Sequence, residues 1–488
     1  MSENEERIQK PGQYEIDEFY LINRAMDEPF LDLRNFAIST VIYEDVFSAF
    51  LHGEIVIVDA KDAINNYGIF GGEVITIKFR TTELDDTPEN VIEKSFAVYS
   101  IKNRGPVNDR QQTYTLGIIS LEAYADPSTP IMKAFPASGG KSPDALAQEI
   151  FDEYIAKPRV IPDGEPTTIS ISDTPHEGEI AYLSNNWTPI QNMNYLTNFS
   201  VGGAGIADFV FYESNKSFFY TSLSTMISAQ LESPFDLYTY VQKGQPSIDK
   251  GQFEELTNAS LPYEFTQCES VEIPRTIDVI DGQRTGQYAS NTIMYDLFSG
   301  EKETIVADIR QDFLNLPKTE GAIGTPAGVP RHSAAKTNMM YGNSILNTGS
   351  NHGFGTTDGA YVKGAGGYAF AKSSKQEYLN SFKDYTFKIT VPGRTDIEVG
   401  RIISLYYPRM ISKISEETTG GDAIDPVLSG NYLVTAIRHE FTPDGAKQIM
   451  EIVKNGLLGN IGPDDDEINI MTWVQIYNHP QWYGGQVS

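Results

Sequence analysis

Three consecutive β-strand patterns near the N-terminus recur, in the same order, near the C-terminus. Each copy has a glycine-led apolar strand, a long loop, a β-branched strand, a polar turn and a closing strand. The early copy is Gly72–Phe79, Phe96–Lys102 and Tyr114–Ile119, and the late copy is Gly400–Tyr407, Tyr432–Arg438 and Gln448–Val453. Two related β modules on one chain favour a β-rich architecture. A building block that is used twice points to assembly more than to catalysis.

The length and charge of the chain limit its function. With 488 residues it is too long for one core, and we expect about three or four domains. Its 37 Lys and Arg residues against 66 Asp and Glu residues give a net charge of −29. General nucleic-acid binding needs a basic surface, so this balance argues against it. The acidity serves either solubility or a functional acidic surface, and composition does not decide between them.

Cysteine content and the terminal sequence indicate the compartment. The single cysteine, Cys268, permits no intramolecular disulfide, and we expect a buried, inert thiol. The first ten residues are polar and rich in Glu, without the basic and apolar regions of a signal peptide. No stretch approaches the roughly 18 apolar residues of a membrane helix. We therefore expect folding in a cytosol.

Hydrophobic periodicity predicts a mainly β fold with an added α+β part. Residues 14–126 and 379–458 carry apolar and β-branched runs typical of antiparallel strands, and each is expected to form a small β-barrel. In the second, Tyr385, Phe387, Ile389 and Val391 alternate with polar residues, which predicts one buried and one exposed face.

Residues 127–313 are predicted to form a peripheral α+β domain. One helix is expected after the cap Ser142, with Leu146, Ile150 and Tyr154 on one side, and another after Thr188. Asp208–Glu213 and Phe218–Thr221 read as paired strands. Segments within residues 265–300 belong either to this domain or to the second barrel, and the sequence leaves both open.

The remaining segments are polar. Residues 1–13 are predicted to be disordered. Residues 314–378 form a long loop rich in Gly, Asn and Ser that ends in a short helix, and they are expected to make contacts or to order on a partner. Residues 459–488 are a tail with the acidic run Asp464–Glu467 and aromatic residues after it. This tail either docks on a partner or packs on its own chain.

One glycine-rich motif resembles part of a phosphate-binding loop. Gly139–Ser142 reads Gly-Gly-Lys-Ser, but Phe135 stands where such a loop has its first glycine. No clear strand precedes it. Ser142 is better explained as a helix cap.

Other catalytic and metal-binding patterns are also missing from the sequence. The histidines are scattered: His52, His176, His332, His352, His439 and His479. Close pairs of the kind that bind metals do not occur, and neither does a Gly-x-Ser-x-Gly nucleophile elbow. The acidic pairs Asp85–Asp86 and Glu416–Glu417 lie in polar, turn-like segments and read as solvated loop charge. We therefore assign no catalytic, cofactor-binding or metal-ligating residue and expect no cofactor.

The late module carries the most specific resemblance to a known family. Its segments Gly393–Tyr407, Ser429–Val434 and Ile437–His439, with Ile273–Arg275, Ala289–Ser290 and Tyr295–Asp296 before them, resemble the baseplate hub proteins of contractile-tailed, myovirus-type bacteriophages. The resemblance covers residues 31–458 and has no catalytic signature. The family is related to the tail tube protein and to the upper part of type VI secretion spikes. Contractile phage tails and type VI secretion systems are both contractile injection systems.

The resemblance implies a fold and a role. Such hubs are homotrimers with two tube-like β-barrels per chain, so three chains form a pseudo-sixfold ring. That ring joins the hexameric tail tube to the trimeric central spike and contacts the baseplate wedge proteins, with the tape measure protein as a further candidate partner. Separately, the acidic composition predicts that DNA passes through the ring without specific binding. The resemblance further implies a non-enzymatic virion protein of the tail baseplate that assembles in the host cytoplasm without inserting into a membrane.

Two alternatives remain open. A tail-associated cell-wall or polysaccharide hydrolase would lose activity on peptidoglycan when one of the paired carboxylates is replaced. A glycan- or receptor-binding protein of the tail tip would bind glycan as an isolated chain without forming a ring.

Overall fold

The computed structural model describes most of the two β modules and part of the chain between them. The described residues are 10–23, 30–82, 84, 87–137, 139–156, 167–172, 180–202, 207–230, 237–240, 265–275, 278–296, 302–308, 319, 336–342, 353–355, 361–363, 375–383, 385–408, 425 and 427–455. The acidic pairs Asp85–Asp86 and Glu416–Glu417, the tail 459–488 and most of the loop 314–378 lie outside them.

Strands make up most of the described chain. They are β1 (Tyr14–Ile22), β2 (Phe30–Asp32), β3 (Ala37–Asp45), β4 (His52–Asp59), β5 (Val74–Thr81), β6 (Val91–Asn108), β7 (Gln111–Ser120), β8 (Ile131–Phe135), β9 (Ile169–Ile171), β10 (Tyr182–Trp187), β11 (Phe209–Glu213), β12 (Phe218–Ser222), β13 (Leu237–Thr239), β14 (Ser270–Arg275), β15 (Ala289–Asp296), β16 (Lys302–Asp308), β17 (Lys336–Gly342), β18 (Gly353–Gly355), β19 (Tyr361–Lys363), β20 (Tyr385–Pro392), β21 (Ile402–Tyr406), β22 (Gly430–Thr442) and β23 (Gly445–Lys454).

The helices are short. The α-helices are Ala63–Asn66, Leu121–Ala125, Pro143–Ile150, Pro189–Thr197, Leu223–Gln230, Val279–Thr285 and residues 375–381, with a 3-10 turn at Asp126–Ser128 and a π-helical turn at Phe151–Ile155. Among the described residues, none of these helices is long and apolar enough to cross a membrane.

Both β modules belong to one 13-stranded sheet. Its main path runs β14-β20-β23-β22-β3-β4-β7-β6-β5-β1-β2, and β21 and β13 branch from β22. The fold is therefore mainly β with antiparallel pairing, as predicted. The path is open over the described residues, so these residues form a shared sheet where the sequence predicted two closed barrels. The reason is the pairing of β22 with β3, which joins the modules edge to edge.

Each module contains the same arrangement of six strands. The first runs β1-β5-β6-β7-β4-β3 and the second runs β13-β21-β22-β23-β20-β14. In both modules the glycine-led strand, β5 or β21, is followed by a hairpin, β6–β7 or β22–β23. The strand that comes before the glycine-led strand, β4 or β20, pairs with the second strand of that hairpin. One pairing differs, because β1 is antiparallel to β5 whereas β13 is parallel to β21.

The strand registers confirm the repeat that the sequence predicted. Equivalent pairs are Val74 with Ala97 and Ile402 with Leu433, and Val98 with Ile118 and Val434 with Ile452. β6 and β22 each have a bulge directly after these valines. Gly72 N donates to Val98 O at 2.7 Å, and Gly400 N donates to Val434 O at 2.9 Å. Such agreement in pairs, bulges and hydrogen bonds identifies two copies of one structural unit.

We expect Gly400→Ala to destabilise the second module by about 2 kcal/mol. Gly400 has φ +83°, which costs a residue with a Cβ atom about 1–2 kcal/mol. A Cβ atom there would also lie 2.7 Å from the hydroxyl of Tyr212. The matched control is Gly139→Ala, which has φ +75° but no neighbour within 4 Å of its Cβ atom, so it should lose less stability than Gly400→Ala. Urea unfolding of both variants tests this, and equal stabilities would contradict it.

Among the described residues, three large hydrophobic cores lie on and beside the sheet. One belongs to the second module, one to the first module, and the third lies in the peripheral region around Leu146, Met193 and Phe211. The core of the first module also contains Phe441 and Ala446 from the β22–β23 turn. The two modules therefore share a core as well as a sheet.

The peripheral region follows the predicted pattern. Ser142 occupies the cap position before helix Pro143–Ile150, although its hydroxyl makes no capping hydrogen bond. Thr188 forms a full capping box with Gln191 before helix Pro189–Thr197. β11 and β12 pair antiparallel as predicted, and β9 adds in parallel.

Segments of the middle region also join the second module. β14 pairs with β20 and β13 pairs with β21, so both extend the second module. β15 instead pairs with β16 and, in parallel, with β17. Strand β17 lies within the predicted long loop, so that part of the loop is structured. Of the segment that the sequence left open, residues 270–275 thus extend the second module and residues 289–296 lie in a separate sheet.

Candidate assembly interface

The junction between the modules forms where one strand of the second module changes partner. β22 keeps β23 along one edge. On its other edge it pairs with β21 up to Leu433 and with β3 from Ala436 to Phe441. The pairing of β21 with β22 stops at the bulge in β22. The backbone groups of β22 beyond this bulge are therefore available to β3. An unpaired strand edge is a template for another strand, and here β3 fills it.

A buried polar network holds the junction together. His439 Nε2 lies 2.9 Å from Glu44 Oε1, and both side chains are at most 1% exposed. His439 Nδ1 lies 3.0 Å from Gln448 Nε2. Gln448 Oε1 accepts from Arg394 N at 3.1 Å, so its Nε2 is the donor to His439. This network assigns the histidine proton to Nε2, which donates to the Glu44 carboxylate.

Two threonines form a second polar contact between the modules. Thr81 N donates to Thr395 Oγ1 at 3.0 Å, and Thr395 N donates to Thr81 Oγ1 at the same distance. The Thr395 hydroxyl also donates to Asn90 O at 2.6 Å. Because all these groups are buried or partly buried and paired, the end of β5 is fixed to the loop that follows β20.

An apolar contact lies at the far end of the junction. The ring of Phe441 is 4.7 Å from that of Phe79 and 5.1 Å from that of Tyr14. The Tyr14 hydroxyl donates to Thr442 O at 3.1 Å. Ala446 N donates to Gly12 O at 2.7 Å, which ties the turn to the start of the first module. The turn between β22 and β23 thus completes the core of its neighbour.

The peripheral region contacts both modules through adjacent residues. Glu213 lies 3.2 Å from Lys94 of β6 and accepts from Leu51 N at 3.0 Å. Burial raises the pKa of the Glu213 carboxyl, against the opposing effect of Lys94. Ser214 donates to Glu398, which also pairs with Arg401 of the second module. The contacts of Glu213 with the first module and of Ser214 with the second fix the two modules relative to each other.

The glycine-rich motif, His52 and Cys268 all have structural roles. Lys141 pairs with Glu149 at 2.9 Å and forms a β-bridge with Ile180. His52 stacks on Tyr43 with ring centroids 5.0 Å apart. Cys268 is buried, and burial raises the pKa of its thiol. Over the described part of the chain, no cluster of three potential metal ligands occurs.

Sequence reasoning missed Glu44 and His439 as a pair. From the sequence, His439 is one of six scattered histidines and part of the Ile437–His439 resemblance, and no pattern marks Glu44 as its partner. The available signal was position: β3 and β22 alternate buried and less buried residues, and Glu44 and His439 both occupy buried positions. A charged residue on the buried face of a strand needs a partner. Which partner it finds depends on the pairing of two strands that lie nearly 400 residues apart.

Comparisons with known proteins give structural neighbours only. No family model and no curated protein matches the chain. The structure is similar to a tail protein from Neisseria meningitidis MC58, with 10% identity, 91% of this chain and 98% of that chain covered, and a TM-score of 0.49. For the 43 kDa tail protein of prophage MuSo2 from Shewanella oneidensis the values are 8%, 90%, 98% and 0.48.

A third similar structure is an E. coli component of the type VI secretion system, which itself shows structural similarity to tail proteins of bacteriophage T4. Identity is 8%, 92% of this chain and 80% of that chain are covered, and the TM-score is 0.41. These structural neighbours are phage tail proteins and a type VI secretion component.

Proposed function

We propose that this chain is a structural, non-enzymatic protein of a phage tail, and that it acts as the central hub of a contractile baseplate. The observation that carries the proposal is the repeated six-strand module together with the β3–β22 junction. The junction is heterologous, because one module offers its end strand and the other offers the outer half of its hairpin strand. Contacts of this kind form rings when the rotation closes.

Three chains with two such modules each would give a ring of six. A homotrimer of this kind matches a hexameric tail tube on one side and a trimeric spike on the other. In this proposal the tube-like modules close through contacts between chains, the peripheral region faces outward towards the wedge proteins, and the tape measure protein is a further possible contact. The domain boundaries predicted from the sequence are kept as part of this proposal.

The acidic composition fits a conduit for DNA. A net charge of −29 places many carboxylates on the surface, and such a surface repels phosphate. We infer that DNA passes through the ring without specific binding. An acidic lumen supports this part of the proposal, and a basic lumen would overturn it.

The proposal predicts a trimer in solution. Mass measurement of the purified chain, alone and with a trimeric central spike protein, is expected to give three copies, and electron-microscope class averages are expected to show six lobes. A chain that stays monomeric in both conditions would refute the hub. Glycan binding by a monomer would favour a receptor-binding protein, and hydrolysis of peptidoglycan would favour the hydrolase.

A further inference from the structure

Strand β6 has an open half that corresponds to the docking site of β3 on β22. β5 pairs with β6 only from Val91 to Ala97, while β7 continues along the other edge to Asn108. Residues Tyr99–Asn108, here called the open half of β6, have no strand on their outer edge among the described residues. In the second module the equivalent half of β22, from Ala436 to Phe441, is covered by β3.

The equivalence of the two halves is fixed residue by residue. Ser100 follows the bulge in β6 as Ala436 follows the bulge in β22. Lys102 pairs with Thr115 of β7, and Arg438 pairs with the matching Ile449 of β23. Lys102 of the open half therefore occupies the place of Arg438.

Strand β14 is the counterpart of β3, and its outer edge also has no described strand partner. Thr40 and Val41 of β3 face Ile55 and Glu54, and Val271 and Glu272 of β14 face the matching Ile389 and Lys388. Ile273 is 36% exposed, and Glu272 and Pro274 are exposed as well. The open half of β6 is likewise exposed, with Tyr99 at 48% and Val107 at 54%.

We propose that β14 of one copy pairs antiparallel with the open half of β6 in a second copy. The proposal rests on the trimeric hub and names the strands that close it. The template is the β3–β22 junction, which joins equivalent strands within the chain. Around the ring, β3–β22 junctions within a chain alternate with β14–β6 junctions between chains, so every module pairs through the same two strand edges. Two exposed strand edges of complementary type are thereby covered.

The template also sets the register. At the internal junction Tyr43 of β3 faces Arg438 of β22. Arg275 of β14 is the counterpart of Tyr43, because the β20 residue that faces Arg275 is equivalent to the β4 residue that faces Tyr43. Arg275 should therefore lie opposite Lys102, whose charge pairs with Glu54 of its own chain at 3.2 Å.

Both strands depart from the template at the same place. β14 has one additional residue between Glu272 and Arg275, and β6 has one between Lys102 and Gly105. Because these additional residues would face each other, pairing continues in step past them and places Glu272 opposite Gly105. Pro274 has no N–H group, so one hydrogen bond fewer forms there.

Disulfide trapping tests this pairing. Opposite residues of antiparallel strands have Cβ atoms roughly 4.5–5.5 Å apart, close enough for a disulfide after small adjustments. One variant carries Lys102→Cys and the other Arg275→Cys. A disulfide-linked dimer is expected when the two are co-expressed and oxidised, and neither variant alone should form it, because each junction needs one residue of each kind. A chain with both substitutions should give a covalent trimer.

The controls separate this inference from the hub itself. Leu183→Cys replaces a residue that is 64% exposed on β10, a strand that pairs with β8, so together with Arg275→Cys it should form no dimer. A trimer that is not trapped by the Lys102 and Arg275 variants would overturn the pairing and leave the hub standing. A monomer would overturn both.

Hydrogen exchange of the unmodified protein gives a second measurement that does not depend on variants folding. Amides of residues 99–108 and 270–275 are expected to exchange at least tenfold more slowly in the trimer than in the chain diluted to monomer. Slow exchange of both segments in the monomer would mean that another segment of the same chain covers the edges, and would overturn the pairing.

Discussion

Replacing Phe441 with alanine is expected to lower the free energy of unfolding by about 3–5 kcal/mol, the usual cost of removing a buried phenylalanine ring. Phe441 is only 4% exposed and contacts Phe79 and Tyr14 of the first module. The ring belongs to a strand of one module and fills the core of the other. Its removal therefore opens a cavity at the junction, and urea unfolding followed by circular dichroism measures the loss.

Two comparisons make the result specific to the junction. Phe70→Ala removes the same ring from a position that is 79% exposed, and it should change stability by under about 0.5 kcal/mol. In a double-mutant cycle with Phe79→Ala, the coupling energy between the two rings should be about 0.5–1.5 kcal/mol. A coupling energy of zero would mean that the modules unfold independently, which contradicts a shared core.

The internal repeat could be predicted from the sequence because strand patterns are local. Apolar alternation and the leading glycines defined the same strands that the registers pair, and Gly72 and Gly400 hold equivalent places in the two copies. The bulges in β6 and β22 were not predicted. A bulge changes the pairing partner by one residue without a distinctive sequence signal.

The joining of the modules could not be predicted, because it depends on contacts between distant segments. β3 has an ordinary strand sequence, and nothing local shows that it pairs with β22 as well as with β4. The positions of β13 and β14 were open for the same reason. Strands separated from their module by more than a hundred residues give no turn signal to indicate their partner. The candidate interface was therefore visible only in the assembled sheet.

His439→Ala is expected to destabilise the chain by about 3 kcal/mol, since it removes the imidazole N–H that donates to the buried Glu44 carboxylate and leaves that charge poorly hydrogen-bonded. Glu44 would keep only the N–H group of Val399, at 3.4 Å. The exposed pair of Lys447 and Glu269 provides the control, and Glu269→Ala should cost under about 1 kcal/mol. Urea unfolding measures both, and a loss for His439→Ala no larger than that of the control would contradict the assigned network.

The double variant Glu44→Leu with His439→Leu decides what the pair contributes. Replacing both partners of a buried pair by apolar residues is often nearly neutral, so the double variant should recover most of the stability lost by His439→Ala. If it does, the pair contributes little net stability, and its role is to select β3 as the partner of β22, since an unpaired Glu44 penalises any other register. Continued loss in the double variant would instead mean that the junction depends on the hydrogen bonds themselves, through Gln448 and Arg394.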